Sequence, residues 1–318
     1  VTEKLVVEIV PLGAGDGDGD GDEYGDPGPG AGAGPYGITA GPDGALWFTL
    51  VHAGVIGRLA LPARQFGYVP LDAPGSGPTV ITPGPDGALW FCRTHDHRIG
   101  RVTVDGDTRE FALGGGESGP YGITAGPDGA LWFTETTANT IGRITVTGEV
   151  TRFPLPVPGA FPSAITAGAD GALWCTLNQA NALARVTTAG EITTFPLPTE
   201  GAAPVGIAAQ PDGDAVWFAE IGAGAVGRID ASGGIDEFAL PDPAARPHAV
   251  AVDAAGACCL TEWGANRLAR LTPDGTLLEA PLPAPAAEPH GLTLGPDGAV
   301  WAALETGALA RVTVSDQD

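Results

Sequence analysis

Near its C-terminal end the chain reads Glu288-Pro289-His290, a carboxylate and an imidazole two residues apart. On a strand that spacing puts both side chains on one face. If Pro296-Asp297 forms a two-residue turn with Gly295 paired to Gly298, Glu288 falls opposite Glu305; a longer turn shifts the register by a residue or two. Two facing carboxylates repel each other unless they share a proton or hold a cation. Oxygen donors of this kind suit Mg²⁺, which takes one or two carboxylates and keeps waters for substrate oxygens. His290 beside such a cation is a candidate general base, since an imidazole titrates near neutral pH.

These residues sit in the last copy of a repeat. Its best form is Gly119-Pro120-Tyr121-Gly122-Ile123-Thr124-Ala125-Gly126-Pro127-Asp128-Gly129-Ala130-Leu131-Trp132-Phe133-Thr134-Glu135. The first proline returns at Pro35, Pro78, Pro120, Pro162, Pro204, Pro247 and Pro289, in steps of 42 or 43 residues. Each unit carries four short β-like runs; in the third copy they are Tyr121–Ala125, Ala130–Glu135, Ile141–Val146 and Glu149–Leu155. A fixed period in the low forties with four strands per unit predicts an all-β, seven-bladed β-propeller with four-stranded antiparallel blades. The C-terminal copy stops after its third strand, Leu309–Val314, and Lys4–Leu12 looks like a fourth strand without a blade. The N-terminal strand is therefore expected to close the last blade and remove an open edge. One propeller domain over residues 1–318 is the expected organisation.

Whatever recurs in such a chain is packing, and whatever departs from the average needs another reason. The Gly-Arg pairs at Arg58, Arg101, Arg143 and Arg228 recur, so they read as scaffold. After the repeat proline, copies one and three have Tyr36 and Tyr121, while copies six and seven have His248 and His290. Copy six lacks the repeat Trp, with Cys259 in its place, yet adds Trp263 off the pattern. His95-Asp96-His97 shows no third ligand for a metal and reads as a solvated loop, and His52 reads as an exposed loop residue.

Composition limits the partners. A formal charge of −23 argues against nucleic acid or an anionic membrane, because phosphate binding needs clustered Lys and Arg. No apolar run approaches the ~18 residues of a membrane span. The start does not resemble a signal peptide. Cys92, Cys175, Cys258 and Cys259 occupy repeat positions without metal spacing and read as buried, reduced thiols, which suggests a cytoplasmic protein. Residues 13–34 form an acidic Gly/Asp-rich insertion expected over the face that carries the inner-strand entries. Asp16, Asp18 and Asp20 begin a calcium-loop spacing, but Pro27 stands where that loop needs Glu, so a disordered acidic loop is the better reading.

Arg246-Pro247-His248-Ala249, Thr261-Glu262-Trp263-Gly264-Ala265-Asn266, Glu288-Pro289-His290-Gly291 and the Glu305 position together resemble the virginiamycin B lyase (streptogramin B lyase) family. The likeness runs from Lys4 to Val314. It implies a monomeric propeller enzyme in which His290 is the general base and Glu288 and Glu305 bind Mg²⁺. His248, Tyr36 and Trp263 would contact the substrate, a small cyclic depsipeptide. The implied reaction opens the lactone by elimination: the base takes the threonyl α-proton, the cation polarises carbonyls, and the ester carboxylate leaves from Cβ. No Ser or Cys is paired with a base as nucleophile, which fits elimination. Two other readings are a non-enzymatic propeller that holds a peptide or glycan on the same face, and a propeller lactone hydrolase. The latter calls for several Asp and Asn on the axis, which the inner strands lack.

Overall fold

The structure, a computed structural model, describes residues 3–13, 32–211, 213–283 and 287–316. Most of the acidic insertion, including Asp16, Asp18, Asp20 and Pro27, lies outside the described residues.

Each blade begins with the turn that the repeat encodes. In blade one, Gly41 N–H donates to Ala45 O at 2.8 Å and Gly44 N–H to Gly41 O at 3.1 Å, with Gly44 at φ 74°. That is a three-residue hairpin loop ending in a left-handed glycine. The Asp43 carboxylate ties three strands: its Oδ1 accepts Trp47 Nε1–H at 3.0 Å and its Oδ2 accepts Arg58 Nε–H at 2.7 Å. Burial works against its ionisation, but these donors hold the Asp43 carboxyl below the usual range. The same arrangement recurs around Asp86, Asp128, Asp170 and Asp297, so the repeated arginines are scaffold. The indole then fills the gap to the next blade; Trp47 packs with Ile81, Leu89 and Phe91.

Seven four-stranded antiparallel sheets result. Blade three comprises Pro120–Ala125, Leu131–Glu135, Thr140–Ile144 and Val150–Pro154. Its third strand ends two residues earlier than expected because the tight turn starts at Thr145, whose N–H bonds Glu149 O at 3.0 Å. Blade seven comprises Pro289–Leu294, Val300–Leu304 and Ala308–Asp316, completed by Glu3–Pro11 from the N-terminus. The closing strand pairs from Glu3↔Asp316 to Pro11↔Ala308, as the sequence predicts.

Two features at the axis decide where the site residues go. The inner strands slip register just after the repeat proline, between Pro289 and Leu292 in blade seven, which re-aims residue 290. The slip is accompanied by close approach of the neighbouring strand: a Cβ on Gly291 would lie 2.5 Å from Tyr36 O. Threonines then stitch neighbouring blades. Thr261 Oγ1 accepts Ala249 N–H at 2.9 Å and donates to His290 O at 3.1 Å, pinning the backbone of His290 from blade six.

Candidate active site

The residue before each repeat proline has a left-handed backbone. Blades one to three use Gly34, Gly77 and Gly119 there, whereas blades four to seven use Phe161, Ala203, Arg246 and Glu288, at φ 49° to 54°. A side chain in that conformation costs about 1–2 kcal/mol relative to glycine, so Glu288 is strained where a glycine would not be. Its carbonyl accepts the Glu305 N–H at 3.1 Å, which sets the two acidic residues opposite each other. The turn is one residue longer than a two-residue loop, but the slip at His290 and Gly291 cancels the offset. Thr293 pairs with Trp301 before the slip and Pro289 with Leu304 after it.

His290 is 8% exposed and its Nε2 is hydrogen-bonded to Glu305 Oε2. The other oxygen, Glu305 Oε1, bonds His52 Nε2 at 2.6 Å. Glu305 is therefore held between an imidazole of its own blade and one from blade one, 253 residues away. His52 is exposed, as the sequence suggests, yet it belongs to the cluster, which sequence reasoning missed. The available signal was ring closure: a propeller seats blade one beside blade seven, so their matching rim loops meet.

The residues after the repeat prolines converge on the axis. The Tyr36 ring lies 4.5 Å from His290, His248 packs edge-on to His290 at 4.9 Å, and Tyr36 and Tyr121 share a 2.6 Å hydroxyl contact. Tyr36, Tyr121 and His248 also line an axial cavity of about 130 Å³. Burial pushes the Tyr36 and Tyr121 hydroxyls up, so both stay protonated. Burial, reinforced by neighbouring His290, drops His248 to about 3. Burial also lowers His290, although Glu305 and Glu288 pull the other way. Both imidazoles are thus neutral at neutral pH, and the Nδ1 atoms of both are buried without a hydrogen-bond partner.

Trp263 follows the second strand of blade six and is 37% exposed, with the Arg246 guanidinium 5.3 Å from its ring centre. It lies at the rim of the adjacent blade, on the face that carries Glu305, and does not join the imidazole cluster. The loop His95-Asp96-His97 is less free than the sequence suggests. Asp96 pairs with buried Arg93, and His97 Nδ1 accepts the Gly119 N–H at 3.2 Å. All four cysteines are buried and free.

Among the described residues no three His, Cys, Asp or Glu side chains surround a common metal position. Glu288 and Glu305 are opposite each other on the backbone; the Glu305 oxygens meet His52 and His290, and among the described residues the Glu288 carboxylate accepts no hydrogen bond. Two carboxylates leaving most positions to water and substrate match what Mg²⁺ takes from a protein, so the donor set fits that ion.

A profile of the virginiamycin B lyase family matches residues 27–312. The chain belongs to the virginiamycin B lyase family. Membership places it among carbon–oxygen lyases. A solved streptogramin B lyase structure is 37% identical, covers 98% of both chains and superposes with a TM-score of 0.89. A catalytically inactive His-to-Ala virginiamycin B lyase from Staphylococcus aureus, solved with quinupristin, is 38% identical over 98% of this chain and 99% of that one, with a TM-score of 0.88. A 26-residue stretch is 88% identical to the virginiamycin B lyase of Saccharopolyspora erythraea; the match spans only 9% of that protein's length. A hydrazine synthase from Kuenenia stuttgartiensis, 19% identical with a TM-score of 0.72, shares the fold alone. Among the described residues no helix is long and apolar enough to cross a membrane.

Proposed function

We propose that this family member inactivates streptogramin B-type cyclic depsipeptides by opening their threonyl ester through elimination. The observation that carries the reading is a neutral, buried His290 bonded to Glu305 directly across from Glu288, in the blade that has an acid at both of these rim positions. The quinupristin-bound relative, inactive after losing one histidine, supports a histidine base acting on this substrate class.

His290 Nδ1 is sealed among neighbours, so proton transfer takes place at Nε2, the atom Glu305 holds. Glu305 can release Nε2 without losing every partner, because His52 binds its other oxygen. On release the ring's own proton moves to Nδ1, and the freed Nε2 pair accepts the threonyl α-proton; the C–H electrons form the Cα=Cβ bond, the Cβ–O bond breaks, and the ester oxygen leaves as a carboxylate. The proton on His290 returns to solvent, and the linear product has the mass of the substrate. Glu288 and Glu305 would hold Mg²⁺, which when bound supplies Lewis-acid polarisation of the substrate carbonyl. Tyr36 and His248 fix the plane of the His290 ring by packing against it, and Trp263 offers an apolar surface at the rim. Free buried thiols favour a reducing, cytoplasmic setting, and we take the working unit to be one chain.

Mass spectrometry after incubation with quinupristin and Mg²⁺ tests this. A linear product of unchanged mass, lost with EDTA and in His290→Ala, is expected. A product heavier by one water would instead identify a hydrolase. Quinupristin recovered intact, but bound with equal affinity with or without EDTA, would identify a binding protein.

A further inference from the structure

Blade six departs from the repeat a second time, on a part of the fold that the proposed chemistry does not use. In the other six blades the gap to the next blade is filled by a Trp (Trp47, Trp90, Trp132, Trp174, Trp217 or Trp301), each no more than 2% exposed. In blades two to five a phenyl from the outer strand stacks on it, with ring centres 5.1–5.6 Å apart. The strand registers identify the missing groups. Cys259 pairs with Arg270 as Trp132 pairs with Arg143, and Leu268 pairs with Ala280 as Ile141 pairs with Phe153. Blade six has therefore lost both the indole and the phenyl.

The space has not closed up. A cavity of about 300 Å³ remains, walled by Cys259, Leu292, Val300 and Val312, with Asp253 and Arg270 as its polar edge. An apolar cavity of ~150 Å³ is already enough to stay dry and bind benzene. Burial pushes the Cys259 thiol up to about 12, so that wall carries no charge. The cavity reaches the surface beside Val314, which is 42% exposed.

The polar edge is an adapted remnant of the Trp site. Asp253 stands where other blades have Gly41, Gly84 or Gly126, and a Cβ at those glycines would lie 2.3–2.4 Å from the Trp Cδ1. With the three-residue loop that blade six keeps, an indole and a side chain at that position exclude each other, so Cys259 and Asp253 belong together; blade five holds Trp217 beside Gln210 by means of a loop one residue longer. From its new position Asp253 keeps the old connections, to Ala257 N at 3.0 Å and to Arg270 Nε at 2.6 Å, and adds one to Ala255 N at 2.9 Å. The arginine is thereby held in its usual place. In blades one and five that arginine lies over the indole, 5.9 and 5.5 Å from the ring centre.

We propose that the gap between blades six and seven is a binding site for a flat aromatic molecule of indole size, lying between the apolar walls of blade seven and the Arg270 guanidinium. Arg270 favours an aromatic occupant over an aliphatic one of equal volume through cation–π attraction. The site is separate from the His290 cluster and stands whether or not the lyase reading does.

Indole itself is the probe. Titrated into the full chain and followed by calorimetry and by thermal melting, it should bind saturably and raise the melting temperature with concentration. Cys259→Trp with Asp253→Gly restores the repeat, fills the gap from within, and should weaken binding at least about tenfold. Cys259→Leu, which needs no change at Asp253, should weaken it less and serves if the double variant does not fold. Cys259→Trp alone should be less stable than the double variant because the indole meets Asp253. Streptogramin turnover should stay unchanged in the filled variants. Failure of indole to saturate the parent, or equal affinity in parent and filled variants, would overturn the proposal.

Discussion

Blades three and seven share one scaffold and differ at the rim. Both have the turn Asp bonded to Trp and Arg, at Asp128, Trp132 and Arg143 and at Asp297, Trp301 and Arg311. At the rim of blade three, Thr136 holds the place of Glu305, and the acid one residue earlier, buried Glu135, is neutralised by Arg152 Nε at 2.7 Å, a cation that never titrates. At the rim of blade seven, Glu305 is held by two imidazoles, which can exchange protons. Blade three enters its inner strand through Gly119, where the left-handed backbone is free of strain; blade seven enters through Glu288. Backbone bonds and indoles below the rim carry the fold, so rim side chains can change from structural to reactive while the blade stays intact.

That contrast yields ordered expectations. The largest effect is His290→Ala, which should lower kcat by about 10²–10⁴-fold, the usual contribution of a general base, with an unchanged melting curve. A comparable loss from altering Glu135 or Arg152 in blade three would erase the distinction. Next, Trp132→Ala should destabilise by roughly 3–5 kcal/mol through the cavity it leaves, measured by denaturant titration. Activity per folded molecule should persist.

The acid response follows from His248. Its folded pKa of about 3 lies below the ordinary 6.5. Between those values the unfolded chain takes up a proton that the folded chain refuses. Stability is therefore complete above about pH 6.5 and declines towards pH 3, by at most ~1.4 kcal/mol per pH unit from this group. His248→Phe should flatten that part of a melting-temperature profile, and an unaltered slope would mean that other groups cause it. Turnover has its own acid limb, because His290 must be neutral; it should fall only below the ordinary histidine range.

The smallest effect is the most discriminating. Glu288→Gly gives blade seven the entry of blade three and should stabilise by about 1 kcal/mol by relieving the left-handed strain. The same change should raise the Mg²⁺ concentration needed for turnover about tenfold or more. Stabilisation without any metal effect would leave Glu288 outside the site.

The architecture was legible because each blade is specified locally. Pro127-Asp128-Gly129 makes its own turn, Trp132 its own wedge and Arg143 its own tie, all within one repeat, so seven copies in a row state seven blades. The incomplete last repeat and the orphan strand at Lys4–Leu12 likewise declared how the ring closes. Glu288, His290 and Glu305 stood out for the same reason, as departures from a sevenfold average. His52 did not, since nothing around it links it to a carboxylate 253 residues on; ring closure alone brings the two together. Nor could spacing foresee the slip at His290 and Gly291, which goes with the backbone of Tyr36 lying close against the neighbouring strand. Short-range bonding is written in consecutive residues and can be read there. Contacts across the seam, the burial that keeps both imidazoles uncharged, and the gap left by two missing rings exist only once seven wedges are packed around one axis.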